Sequence, residues 1–161
     1  MPRPIRKRTT GRVLPVNAAG EVLLLHGWDP AKPAKTYWFS IGGEVEHGEF
    51  HVEAAAREMR VGLGISVRAA DLTAPIAHDV VEFDFGMWHL VQDQTYFATR
   101  LDDLTGLSFD AQEGLERGTI DEAAWWTPDA LDADGTAAND QLTQHMRTAV
   151  RAILGEAQEK A

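Results

Sequence analysis

The stretch from Gly42 to Ile65 constrains this chain more than any other segment. It opens on Gly42-Gly43, crosses a loop holding Glu44, Glu46 and Glu49, and runs into a segment with helical periodicity. The spacing predicts a helix from Phe50 to about Leu63. At about 100° per residue, Val52, Ala55, Ala56, Met59 and Leu63 fall within one arc of about 100°. Such an apolar face must be buried against another element, and the strand-like runs elsewhere in the chain supply one. A second face is built from Glu58 and positions 61 and 62, because side chains three and four residues apart are neighbours on a helix. Those two positions hold Val61 and Gly62.

Around this helix the chain reads as alternating strands and turns. Residues 11–16 and 21–26 are apolar runs separated by Asn17-Ala-Ala-Gly20, the pattern of a β-hairpin. Gly27 to Lys35, with two prolines and two lysines, reads as a loop, and Tyr37 to Ile41 as a short strand closed by the paired glycines. Residues 74–84 and 87–100 read as two long strands around Phe85-Gly86, and residues 119–126 as a further strand stopped by Thr127-Pro128. Leu142, Met146, Val150 and Leu154 recur at helical spacing, which predicts a last helix from about Ala137 to Ala157. The order predicts an α+β fold with a mixed sheet between helices, formed by residues 1–161 as a single domain. Residues 1–9, with Arg3, Arg6, Lys7 and Arg8, read as a flexible, solvated arm.

Charge and composition narrow the function. A net charge of −10 disfavours binding to nucleic acid, although a small phosphorylated ligand remains compatible where local cations screen it. No run approaches the roughly 18 consecutive apolar residues of a membrane helix, so no membrane partner is expected. Cysteine is absent, which excludes thiolate metal sites. The start, Met1-Pro-Arg-Pro-Ile-Arg-Lys-Arg, has no apolar run after it, so the cytoplasm is the expected location. No phosphate-binding Walker loop, dinucleotide glycine fingerprint or Ser-His-Asp order is present.

The segment Gly43-Glu-Val-Glu-His-Gly-Glu49, then seven residues, then Arg57-Glu58-Met59-Arg60-Val61-Gly62-Leu63-Gly64-Ile65 resembles the Nudix box. That pattern is Gly, five residues, Glu, seven residues, Arg-Glu, an apolar residue, any residue, Glu-Glu, any residue, Gly, an apolar residue. Gly43, Glu49, Arg57, Glu58, Met59, Gly64 and Ile65 match it. The Gly-Gly strand end before it and Ala124-Trp125-Trp126-Thr127-Pro128 after it also resemble the family. The resemblance implies an α/β/α sandwich and Mg²⁺- or Mn²⁺-dependent hydrolysis of a nucleoside diphosphate linked to another moiety. It implies that Glu58 is a metal ligand or base, that Glu49 and Arg57 brace the loop through a salt bridge, and that the Gly42 carbonyl is a ligand. It also implies a small-molecule nucleotide derivative as partner and a homodimer as assembly. Glu113, Glu116, Asp121 and Glu122 lie where many members supply one more acidic group from a distant loop, and Glu116 is the expected ligand among them. Trp38 and Phe39, one strand before the box, are the expected stacking residues for a nucleobase.

The departure from the pattern falls on its chemistry. Where the box demands Glu-Glu, Val61 offers no ligand atom and Gly62 has no side chain. Hard divalent cations take oxygen ligands, and two lost carboxylates predict weak metal binding and weak or absent hydrolysis. His51, two turns before Glu58 on nearly the same side of the helix, reads either as a solvated histidine or as a candidate substitute nitrogen donor. The alternative functions are a catalytically silent nucleotide-binding or sensing protein, and a variant of an active enzyme.

Overall fold

A computed structural model describes residues 2–155. Seven strands are present among them: β1 (Ile5–Val16), β2 (Val22–Asp29), β3 (Lys32–Phe39), β4 (Ile41–Glu44), β5 (Ala77–Phe85), β6 (Trp88–Arg100) and β7 (Ile120–Trp126). The helices are α1 (His51–Leu63), α2 (Pro128–Asp134) and α3 (Leu142–Leu154), with a short 3-10 turn at Ala69–Asp71. The sheet runs β3-β2-β1-β6-β5, with β4 added to β1 and β7 to β2. β1 and β6 are parallel from Ile5↔His89 to Val16↔Arg100, and the other strand pairs are antiparallel. This is the mixed sheet between helices that the sequence predicts, an α/β/α sandwich.

Burial on both faces of the sheet explains why residues 13–16 of β1, 22–25 of β2 and 96–98 of β6 are continuous apolar runs instead of alternating ones. Val13, Leu23, Leu25, Ile41 and Phe97 point to one side, where Ala55, Met59 and Leu63 of α1 close over them. Leu14, Val16, Val22, Leu24 and Ala98 point to the other, against Leu142, Met146 and Ala149 of α3. The predicted face of α1 is the buried one, with Ala54 also inside and Val52 half-buried at its edge. The helix ends where only glycine suits the backbone. Gly64 has φ +73°, its N–H donates to the Arg60 carbonyl, and the Ile65 N–H reaches back to the Met59 carbonyl.

Some expectations change. Residues 5–9 are not a solvated arm: from Ile5 onward they are β1, in register with β6, and two of their cationic side chains find partners. Arg8 is 5% exposed and pairs with Glu116, while Arg6 pairs with Glu44. The 27–35 loop is mostly strand. β2 runs to Asp29 and β3 starts at Lys32, with Pro33 tolerated because β3 lies at the sheet edge. The hairpin between β1 and β2 pairs at Val16↔Val22, since the earlier part of β1 pairs with β4 instead. Thr127-Pro128 stops β7 and also starts α2. The Thr127 Oγ1 accepts the Ala130 N–H at 3.2 Å and Pro128 takes the first helical position. α3 starts at Leu142, five residues later than expected, and the expected end at Ala157 lies outside the described residues.

Candidate functional site

The loop between β4 and α1 is held by Arg57. Its Nε donates to Glu49 Oε2 at 2.9 Å and its Nη2 to Glu49 Oε1 at 3.0 Å, a two-pronged bridge. Nη2 also donates to the Glu44 carbonyl at 2.7 Å, and Nη1 to Glu58 Oε1 at 2.7 Å. One guanidinium thus ties the loop start, the loop end and α1 together. The hydrogen bond to Glu49 is the main reason the Arg57 pKa is raised, and the same bond holds the Glu49 carboxyl below its usual range. The expected salt bridge between Glu49 and Arg57 is therefore present.

Glu58 lies against the glycines. A Cβ on Gly43 would overlap the Glu58 carboxylate, with Cγ at 2.9 Å, so glycine there leaves the room in which the Glu58 side chain lies. The Glu58 side chain is 16% exposed, and burial pushes its carboxyl above the usual range against the pull of Arg57. Glu116 adds to that rise, which brings a second carboxylate into its neighbourhood. Glu58, Glu113, Glu116, Gln112, Gly42 and Gly62 line a recess of about 20 Å³, room for about one water-sized occupant. The four candidate acids from the distant segment therefore separate. Glu113 and Glu116 reach the recess, whereas Asp121 and Glu122 lie on β7 beside His26, whose Nδ1 is 2.7 Å from Asp121 Oδ1. Neither of those two acids lines the recess.

These residues fit a divalent cation in kind and fall short in number. The donors are carboxylates and a backbone carbonyl, the oxygen set that a hard cation takes. Yet Glu58 is committed to Arg57 and Glu116 to Arg8 at 3.2 Å, while Val61 and Gly62 contribute nothing. Nothing fills the gap at Gly62, where an added Cβ would meet only Glu58 Oε2 at 3.8 Å. His51, the substitute donor, is not among the residues lining the recess.

Glu116 and Phe39 line both the recess and a much larger cleft of about 580 Å³. Its walls carry Trp28, Tyr37 and Phe39, its rim Lys32 and Lys35, and its floor Arg12, Gln92 and Gln94. Burial, with Asp29 and Glu116 nearby, raises the Tyr37 hydroxyl to about 12, so it stays protonated at neutral pH. Of the two expected stacking residues, Phe39 lines the cleft and Trp38 does not. Strand alternation sends Trp38 into the α3-side core, 8% exposed, where its ring meets Trp126 edge-on at 5.3 Å. Sequence reasoning missed Arg12, Gln92 and Gln94. The available signal was polar residues at every second position of strands otherwise apolar on that face.

A family model for the NUDIX domain matches residues 6–146. No curated protein matches the chain in sequence at a significant level. Among solved structures, the chain is similar to a C. elegans Ap4A hydrolase at 18% identity, covering 88% of this chain and 93% of that one, with TM-score 0.58. It is similar to the MutT protein from Methanosarcina mazei Go1 at 18% identity, covering 94% and 97%, with TM-score 0.59. It is also similar to the E. coli dihydroneopterin triphosphate pyrophosphohydrolase at 20% identity, covering 93% and 97%, with TM-score 0.59. At these identities the likeness concerns the fold, while the family model spans most of the chain. With the braced loop, the glycine-backed Glu58 and the sandwich architecture, the match means that this chain belongs to the Nudix family.

Proposed function

We propose that this chain is a Nudix-type hydrolase of a nucleoside diphosphate linked to another moiety, with a damaged metal site that leaves hydrolysis weak. One observation carries the reading. The Arg57-Glu49-Glu58 network stands assembled beside a recess that shares Glu116 and Phe39 with a cleft large enough for a nucleotide. Two of the structural neighbours bear names of phosphate-chain hydrolases, an Ap4A hydrolase and a dihydroneopterin triphosphate pyrophosphohydrolase. In this reading Glu58, Glu116 and the Gly42 carbonyl would hold Mg²⁺ or Mn²⁺ weakly. When bound, the metal would withdraw charge from the phosphate oxygens. Arg57 and Glu49 fix the loop so that Glu58 keeps its place. Phe39 stacks on the base, and Lys32 and Lys35 at the rim offset the charge of the phosphates. The reading includes the cytoplasm as the working compartment and a homodimer as the assembly, the latter checked by light scattering.

The second reading is a nucleotide-binding or sensing protein without turnover, favoured by the absence of ligand atoms at Val61 and Gly62. Calorimetric titration with Mg²⁺ and Mn²⁺, followed by phosphate-release assays over a panel of nucleotide derivatives, separates the two. The hydrolase reading expects metal dissociation in the millimolar range and slow, metal-dependent turnover. Nucleotide binding that ignores metal and yields no turnover would establish the binder instead.

A further inference from the structure

The floor of the large cleft holds two buried polar atoms without a hydrogen-bond partner, Arg12 Nη1 and Gln92 Oε1. Arg12 is 3% exposed and Gln92 4%. Buried polar groups are nearly always satisfied, so an unpartnered pair lining a ligand-sized cleft points to a ligand.

The direction of each group is fixed by its neighbours. Arg12 Nε donates to Ser40 Oγ at 2.6 Å and Nη2 to the Ser40 carbonyl at 2.8 Å, which leaves Nη1 as a free cationic donor. Asp79, 7% exposed, sets the polarity of Gln92 through a relay. Its carboxylate accepts from Gln94 Nε2 at 2.9 Å, and it lies 2.8 Å from His145 Nε2 and 3.3 Å from the Tyr96 hydroxyl, which donates to it. A carboxylate only accepts, so Gln94 must turn its amide nitrogen toward Asp79 and its oxygen toward Gln92. Gln92 must then give its own nitrogen to Gln94 Oε1, and its oxygen is left as an acceptor. Although burial pushes the Asp79 carboxyl up, these hydrogen bonds hold it below its usual range, so the relay keeps one polarity at neutral pH.

We propose that Arg12 and Gln92 determine the specificity of the cleft, selecting a lactam-type nucleobase, with a carbonyl oxygen beside a ring N–H, over an amidine-type base. The carbonyl accepts from Arg12 Nη1 and the ring N–H donates to Gln92 Oε1. Arginine pairs best with a base carbonyl, whereas a glutamine reads adenine by using its oxygen and its nitrogen together. Gln92 holds its amide nitrogen against Gln94, so its oxygen is the group it presents to a base. The inference rests on the reading of the cleft as a nucleotide site.

The test is calorimetric binding of two matched pairs, IDP against ADP and UDP against CDP, in EDTA so that hydrolysis plays no part. Within each pair the phosphates are the same and the base edge differs. IDP and UDP are expected to bind at least about tenfold more tightly than their partners. Gln92→Met should reduce that ratio to below about threefold. Gln94→Met breaks the relay at a residue outside the two proposed base contacts, so Gln92 is free to turn over, and the ratio should fall while ADP binding is kept or improved. A purely structural role for Gln94 would weaken all four ligands alike. Melting curves establish that each variant is folded, and the wild-type ratios decide the matter without them. Equal binding within both pairs overturns base selection and leaves the nucleotide reading standing, with trapped water satisfying the two groups. No binding of any of the four overturns both.

Discussion

Restoring the box with Val61→Glu and Gly62→Glu gives the most direct measure of what the substitutions removed. The structure accepts both changes. Gly62 is helical, its φ is not in the left-handed region, and an added Cβ meets only Glu58 Oε2 at 3.8 Å. Val61 is half-buried and is not among the residues packed on the α1-side core. Replacing a helical glycine gains up to about 1 kcal/mol. Placing carboxylates three and four residues from Glu58 costs a few tenths of a kcal/mol each, with about as much again from Glu113 and Glu116 across the recess. Without metal these effects nearly cancel, and the melting temperature should move by less than about 3 °C. With Mg²⁺ at about a hundred times its dissociation constant, a site present only in the folded state adds about 2.7 kcal/mol. For a chain of this size that is a rise of about 5–10 °C, against little change in the parent. Scanning calorimetry with and without Mg²⁺ reads the difference, and phosphate release from nucleoside diphosphate derivatives should rise with it. Adding Glu58→Gln should remove both gains. A restored double variant with neither Mg²⁺-dependent stabilisation nor new turnover would refute the idea that this scaffold retains a latent metal site.

Three further outcomes follow from particular contacts. Arg57→Gln removes the bridges to Glu49 and Glu58, leaves two carboxylates at 15% and 16% exposure without their cation, and should cost about 2–4 kcal/mol in urea unfolding. An unchanged midpoint would mean that the loop is held by other contacts. Gly11→Ala drives a Cβ into the His51 carbonyl, with the Ala55 nitrogen at 3.2 Å, and should cost about 2–3 kcal/mol by forcing α1 off β1. Near-normal stability there would refute the close approach of helix and strand. Asp79 has a depressed carboxyl pKa in the folded protein, so its contribution is fully present above the unfolded value of about 3.9 and is lost as the pH falls through the lower folded value. Asp79→Asn should therefore destabilise the protein at pH 7 and have progressively less effect below about pH 4, as read from melting temperatures across pH.

The sequence by itself determined the sandwich and the brace. The buried face of α1 was legible because helical periodicity puts Ala55, Met59 and Leu63 in one stripe whatever they pack against. The Glu49-Arg57 bridge was legible because an eight-residue separation from the loop end into α1 is local, and the family pattern names both residues. The loss at Val61 and Gly62 needed no coordinates at all, since neither residue has a ligand atom to place. What the sequence left open depended on partners far away along the chain. Arg8 reads as a solvated cation until Glu116, more than a hundred residues later, folds against it and draws the N-terminal residues into β1. Trp38 and Phe39 are equal candidates until strand alternation sends one into the core and the other into the cleft. Glu116 separates from Asp121 and Glu122 only through the path of the segment between β6 and β7. The polar floor is the clearest case. Arg12, Gln92, Gln94 and Asp79 come from three strands; the hydrogen-bond directions of the two glutamines descend from one buried carboxylate, and that of Arg12 from Ser40. Periodicity reports which way a side chain points along its own element, but the chemistry of a site depends on what other elements bring within hydrogen-bond reach.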